Sequence, residues 1–182
     1  WTIQDGALKD AQGVPFAFEI LLANGASDTI AAVNIYVESL KKLGIAATIQ
    51  TVDSAQYKER TTVYNFDMTQ YTRSLSLSPG NEQTLYWGSE GVTKEGTRNW
   101  MGVASPAVDG LITTMVSSKS REEFVVAVQA LDRVLTSGRY VIPFWYSNVS
   151  HMAHKASLKH PDYVAAYGDW LGFMPDVWWQ QN

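Results

Sequence analysis

Cysteine is absent from all 182 residues, which removes a disulfide scaffold, a thiolate zinc site and a cysteine nucleophile together. Positive charge is scarce as well. Fourteen Lys and Arg against 18 Asp and Glu leave a formal charge of −4, and the only close basic pair is Lys41-Lys42. A nucleic-acid partner needs a clustered basic face to meet phosphates, so none is expected. No apolar run approaches the roughly 18 residues that cross a bilayer. Only three histidines are present, His151, His154 and His160. The first two are three apart on an expected strand and so face opposite ways, which argues against a metal pair.

Catalytic patterns are missing too. Gly88-Ser89-Glu90-Gly91 has the wrong spacing for a nucleophile elbow. There is no phosphate-cradling glycine loop with a lysine and no dinucleotide fingerprint. Asp53, Asp67, Asp109 and Asp132 fall at expected helix caps or on surfaces. With no nucleophile beside a base, the sequence reads as a non-enzyme with no cofactor and no metal. It begins at Trp1 without a charged and apolar leader, and a piece of something longer is the expectation.

What is present is ordered. Asp5-Gly6 predicts a hairpin between Trp1–Gln4 and Ala7–Lys9. Phe16–Leu22 follows as a strand with Phe16, Phe18, Ile20 and Leu22 on one face. Ser27 is placed to cap a helix to about Leu43, with Ile30, Val33, Val37 and Leu40 at helical spacing and Gly44 as its stop. Ile45–Val52 reads as a strand. Asp53 with Gln56 opens a short helix carrying Tyr57 and Tyr64, and Phe66–Tyr71 is a further strand. That alternation predicts an α/β layer with crossover connections. Thr72–Gly102 reads as loop, with a helical turn or two in Asn81–Trp87 and an exposed Ser89–Gly96. Ser105-Pro106 starts a helix with Val108, Leu111, Ile112 and Met115 inward. Ser120 with Glu123 caps another, burying Phe124, Ala127, Val128, Leu131 and Leu135 and ending near Gly138. Tyr140–Tyr146 and Val149–His154 are expected strands. With no repeat and no linker, residues 1–182 count as one domain.

Aromatics are plentiful, with seven Trp and nine Tyr. Such rings suit pockets and interfaces, where one edge is dry and the other hydrogen-bonds. The tail from Trp170 to Trp179 is expected to face a partner domain.

The run Asn99-Trp100-Met101-Gly102-Val103-Ala104-Ser105-Pro106-Ala107-Val108-Asp109-Gly110-Leu111-Ile112 resembles the signature of the family 5 extracellular solute-binding proteins, the peptide and nickel receptors of ABC importers. Phe66-Asp67-Met68 upstream, and Tyr140-Val141-Ile142-Pro143-Phe144 downstream, are similar to that family in the same order. Within it, Ser74-Leu75-Ser76-Leu77-Ser78-Pro79-Gly80-Asn81-Glu82-Gln83, the Arg121-Glu122-Glu123 helix start and Pro175-Asp176-Val177-Trp178-Trp179 resemble the microcin C-type peptide receptors.

The resemblance implies an α/β lobe of the type II periplasmic-binding-protein kind, a mixed sheet flanked by helices, here the C-terminal lobe with the N-terminal one absent. It implies an exported, periplasmic receptor that closes on a peptide or peptide-like ligand between lobes and hands it to membrane permease subunits. A sugar or a metal chelate stays open as the ligand, as does a hydrolase completed by the other lobe. The loop after the Phe66–Tyr71 strand is where the family reaches its ligand, so Tyr71, Arg73, Ser74, Ser76, Asn81 and Trp100 are the candidate binding residues. Many peptide receptors carry a Trp and an amine-clamping Asp there. This chain departs from that pattern, with Arg73 in the Trp place and Ser76 roughly in the Asp place, so an anionic or carbonyl-rich group is expected at Arg73 instead of a clamped amine.

Overall fold

The computed structural model describes residues 1–25, 27–73, 78–146, 149–163, 173–174 and 176–181. The chain opens on an antiparallel hairpin, β1 (Thr2–Gln4) and β2 (Ala7–Lys9). Asp5 and Gly6 take φ of 52° and 79°, the double positive values that a two-residue turn matching strand twist requires.

A three-stranded parallel sheet follows. Strand β3 (Ala17–Ala23) leads through helix α1 (Ser27–Lys41) to β4 (Ala46–Val52), then through α2 (Ser54–Thr62) to the short β5 (Met68–Thr69). The spatial order is β4-β3-β5, with Ile20 opposite both Ile49 and Met68. Being central, β3 is dry on both sides: Ile20, Leu21 and Leu22 are all buried, as a covered parallel strand demands. Ile20, Leu22 and Val33 form a core, with Ile30, Val37, Ile49 and Met68 packed on it.

A helical half follows: α3 (Glu82–Trp87), a 3₁₀ turn (Ser89–Val92), α4 (Pro106–Ser117) and α5 (Arg121–Gly138). Val103, Val108, Ile112, Met115, Ala127 and Leu131 make its core, and Trp87 packs against that cluster. The caps of α2, α4 and α5 are the expected ones. Asp53 Oδ1 accepts from the N–H groups of Ala55 and Gln56 at 2.9 Å. Ser105 accepts from Val108, and Ser120 from Glu123. The Glu123 carboxylate reaches back to the Lys119 N–H at 2.9 Å, one residue before the cap. Ile112→Val removes one methylene from this core and should lower stability by about 1 kcal/mol. Urea denaturation followed by tryptophan fluorescence checks this, an unchanged midpoint being the contrary result.

Several sequence expectations shift. Ser27 is the first helical residue rather than the cap. Tyr64 is not on α2; it lies beyond the helix end at φ 57° and hydrogen-bonds Lys94 O. The strand expected at Phe66–Tyr71 pairs only at Met68 and Thr69. Within the expected exposed stretch, Gly91 is buried against Asn99. Tyr140–Tyr146 and Val149–His154 are not strands where described. An apolar run becomes a strand only where a free edge offers it ladder partners, and none pairs with it among the described residues. The tail instead pairs Trp179–Gln180 (β7) with Leu158–Lys159 (β6), antiparallel.

Two of the three histidines, His154 and His160, sit in an aromatic cluster. His154 and His160 pack on Trp178 at 5.0 and 4.8 Å between centroids, and Phe173 closes the group. Each imidazole Nδ1 bonds a backbone carbonyl. Among the described residues no three or more His, Cys, Asp or Glu gather as a metal-ligand group. Trp179 is half exposed, Trp178 is partly buried, and Trp170 lies outside the described residues.

Candidate functional site

The order β4-β3-β5 means the chain leaves β3 in one direction and returns on its other side. Crevices outside the carboxyl ends of strands at such a switch point are where open α/β sheets hold ligands. A cleft of about 1760 Å³ opens there. Gly25, Ser27 and Asp28 border it after β3, and Gln70, Tyr71, Thr72 and Arg73 after β5.

A hydrogen-bond chain fixes the β5 exit. The Tyr57 hydroxyl meets Thr69 Oγ1 at 3.0 Å and donates to Gln70 O at 3.1 Å, while Thr69 Oγ1 donates to Leu21 O at 2.8 Å. Asp67 Oδ2 accepts from the Glu19 N–H at 2.9 Å. Helix α2 thereby aims the residues that leave β5. Tyr71 meets Trp100 edge-on at 4.8 Å, and Phe66 backs the same indole at 6.2 Å. Arg73 lies with its guanidinium carbon 3.7 Å from the Tyr86 centroid and 5.5 Å from that of Trp87. Burial is the main cause holding the Arg73 guanidinium below its ordinary value, and the charge of Arg98 acts the same way. Arg98 is exposed and moves the other way, above its ordinary value, because it donates to the Tyr86 hydroxyl at 2.9 Å.

Residues 139–146 border the cleft as well. Arg139, in the left-handed region at φ 52°, ends α5 and turns the chain away. The Tyr140 ring lies so close to Gly138 that a Cβ there would meet it at 2.1 Å, and Phe144 packs on Tyr36 of α1 at 5.2 Å. The apolar residues expected as a strand thus serve as cleft lining.

Of the candidate binding residues, Tyr71, Arg73 and Trp100 border one cleft. Asn81 stands apart at the start of α3, exposed and making no side-chain capping bond. Ser74 and Ser76 lie outside the described residues. Glu82 does not border the cleft: its carboxylate accepts from the Gly80 N–H at 2.8 Å and from Gln83 at 3.0 Å. The backbone bond from Gly80 is the largest cause holding it below the usual carboxylate range. Arg98 and Asp28 were not singled out from sequence, and residues 140–146 were read as a strand rather than as cleft lining. Arg98 follows a polar run with no period, so nothing local marked it.

The Asn99–Ile112 run turns out to be scaffolding around this wall. Asn99, 1% exposed, donates to Gly88 O at 3.0 Å and Val103 O at 2.8 Å, and accepts from the Val103 N–H at 2.9 Å. Gly102 takes φ 64°, Pro106 starts α4, and Asp109 Oδ1 accepts from the Ser89 N–H at 2.9 Å. Trp100 is held against Tyr71 by the turn these residues tie.

No family model matches the chain. It is 44% identical over 144 residues to a probable peptide-binding protein, YejA, of Agrobacterium fabrum, covering 79% of this chain and 23% of that protein. It is 35% identical over 179 residues to the peptidoglycan-binding protein YepA of the same bacterium, covering 98% of this chain and 28% of the relative. Among solved structures, the oligopeptide-binding protein AppA of Bacillus subtilis, in complex with a nonapeptide, superposes with TM-score 0.78 at 23% identity, over 98% of this chain and 34% of its own. The chain has the fold of a periplasmic-binding-protein lobe. A mannohexaose-bound oligopeptide-binding protein of Thermotoga maritima superposes over 87% of the lobe and 30% of its own chain, with TM-score 0.73 at 22% identity. The lobe spans about a quarter of the length of the curated relatives it matches. The two Agrobacterium relatives and the two solved structures are binding proteins by name. Among the described residues no helix is long and apolar enough to cross a membrane.

Proposed function

We propose that this lobe, the C-terminal one of a periplasmic receptor of the family 5, microcin C-type kind, forms one wall of a cleft that captures peptides or peptide-like solutes for an ABC importer. A second lobe outside this chain supplies the other wall, and the closed receptor delivers its solute to membrane permease subunits. The observation that carries the reading is the 1760 Å³ cleft at the sheet's switch point, bordered by Tyr71, Arg73 and Trp100. Drug-sized ligands fill roughly 300–1,000 Å³; this space suits an extended chain of several residues. The relatives point the same way, through a peptide-binding name and a nonapeptide complex.

A second reading, an oligosaccharide, is favoured by the Tyr71–Trp100 aromatic wall and by the mannohexaose of one neighbour, because sugar rings also pack on aromatic faces.

Half a cleft leaves the ligand's far side in water and recovers little of the cost of immobilising it. Calorimetry with a mixed library of three- to nine-residue peptides should therefore give sub-micromolar binding to the two-lobed protein and no specific heat with the isolated lobe. Binding of mannohexaose in preference to every peptide would assign the cleft to sugars. Turnover of a peptide or ester would replace the receptor reading with the hydrolase.

A further inference from the structure

We infer that Arg73 and Arg98, gathered on the single ring of Tyr86, form an anion subsite in the cleft that selects solutes presenting a carboxylate or another oxyanion. The inference rests on the reading of the cleft as a solute site and narrows the solute to a chemical class.

The two cations reach the ring differently. Arg73 lies over its face at 3.7 Å, whereas Arg98 Nη1 donates to its hydroxyl at 2.9 Å with the guanidinium carbon 5.7 Å from the centroid. Both border the cleft. Like charges brought together normally have a carboxylate between them. Among the described residues the ion pairs are Lys9–Asp5, Arg60–Glu19 and Lys94–Glu90, and neither Arg73 nor Arg98 takes part. Two carboxylates do border the cleft, Asp28 and Asp67. Asp67 is engaged by the Glu19 N–H, and Asp28 receives the Ser27 hydroxyl at 3.5 Å.

What holds the arginines is thus a neutral ring and a hydroxyl. Cation–π contact attracts a guanidinium without cancelling its charge. Arg73 is held through a ring face, and among the described residues its N–H edge meets no acceptor. A planar fork with free donors is the arrangement that carboxylates and phosphates bind bidentately. The partly buried setting of Arg73 strengthens any such pair relative to one in open water. An incoming oxyanion also relieves the repulsion between the cations. A solute lacking that anion leaves the partly buried Arg73 charge unmatched, and charge-assisted hydrogen bonds of this kind translate into roughly ten- to hundredfold discrimination.

The test uses the full-length polypeptide and two probes. With inorganic phosphate at constant ionic strength, the wild type should show a saturable rise in melting temperature. Arg98→Gln, at an exposed position that leaves packing intact, should lose it. Arg73→Lys, which keeps the charge and discards the fork, should weaken it. No rise in the wild type, or a rise undiminished in Arg98→Gln and Arg73→Lys alike, overturns the subsite. With tetra-alanine as free acid and as carboxyl-terminal amide, the free acid should bind at least tenfold more tightly, and Arg98→Gln should bring the two within about twofold. That result names a peptide carboxyl terminus as the source of the anion. Equal binding of acid and amide by the wild type overturns the selective role. A protein that answers phosphate through Arg98 yet binds neither tetrapeptide supports the anion subsite and refutes the peptide reading instead.

Discussion

Asn99→Ala should destabilise the protein by about 4 kcal/mol, more than any single methyl deletion in its core. The side chain is buried and makes three backbone hydrogen bonds, to Gly88 O, Val103 O and the Val103 N–H. Alanine supplies none of them, and water has no path to replace them at 1% exposure. Each orphaned buried group costs on the order of 1–3 kcal/mol. Asn99→Asp is the informative control. A carboxylate still accepts from Val103 but faces two carbonyl oxygens where the amide donated, so it should be at least as damaging as alanine. Urea denaturation of the three proteins checks the order. An aspartate variant more stable than the alanine one would mean that the acceptor bond alone matters.

Gly44→Val should cost a similar amount, about 4 kcal/mol, through the backbone rather than the core. Gly44, in the turn three residues beyond α1, takes φ 74°, a region that a β-branched residue occupies only under strain. A Cβ there would also meet the Leu8 nitrogen at 2.7 Å and Gly6 O at 3.0 Å. These are main-chain atoms of the opening hairpin, which cannot swing aside as a side chain can. The same approach carries a hydrogen bond from the Leu8 N–H to Gly44 O at 2.7 Å. The variant should therefore unfold early and should expose β2 amides to hydrogen exchange before the α4–α5 pair. Uniform exchange across both regions would show that the hairpin is not docked through Gly44.

The β3–α1–β4–α2–β5 order and the two long helices were legible because period, caps and stops agreed there. Val33 of α1, Ile112 of α4 and Leu131 of α5 are buried where the spacing put them. Residues 140–146 misled because an apolar run has strand propensity whether or not an edge is available to pair with it. The candidate site was partly legible. Tyr71, Arg73 and Trp100 come together because all three hang from the β5 exit and the turn tied by Asn99, whereas Asn81 belongs to a different helix start. Arg98 was invisible because its meaning depends on Tyr86, twelve residues away across a helix and a 3₁₀ turn. The run that carries the family resemblance holds backbone carbonyls and amides, so its presence speaks for the scaffold and leaves the solute to residues outside it.

The placing of Arg73 also has an optical consequence. Its guanidinium stands 5.5 Å from the Trp87 ring, and Trp87 donates its indole N–H to Gln83 at 3.1 Å. The fluorophore is thus fixed in orientation beside a charge that borders the cleft. An indole's emission responds to the electric field along its ring, so a solute that neutralises or displaces that charge changes the colour of Trp87, which itself borders the cleft. Occupancy of the cleft is then readable as a shift in the intrinsic spectrum of the unlabelled protein, and replacing Trp87 with Phe should remove its share and leave that of Trp100 and Trp145, which also border the cleft.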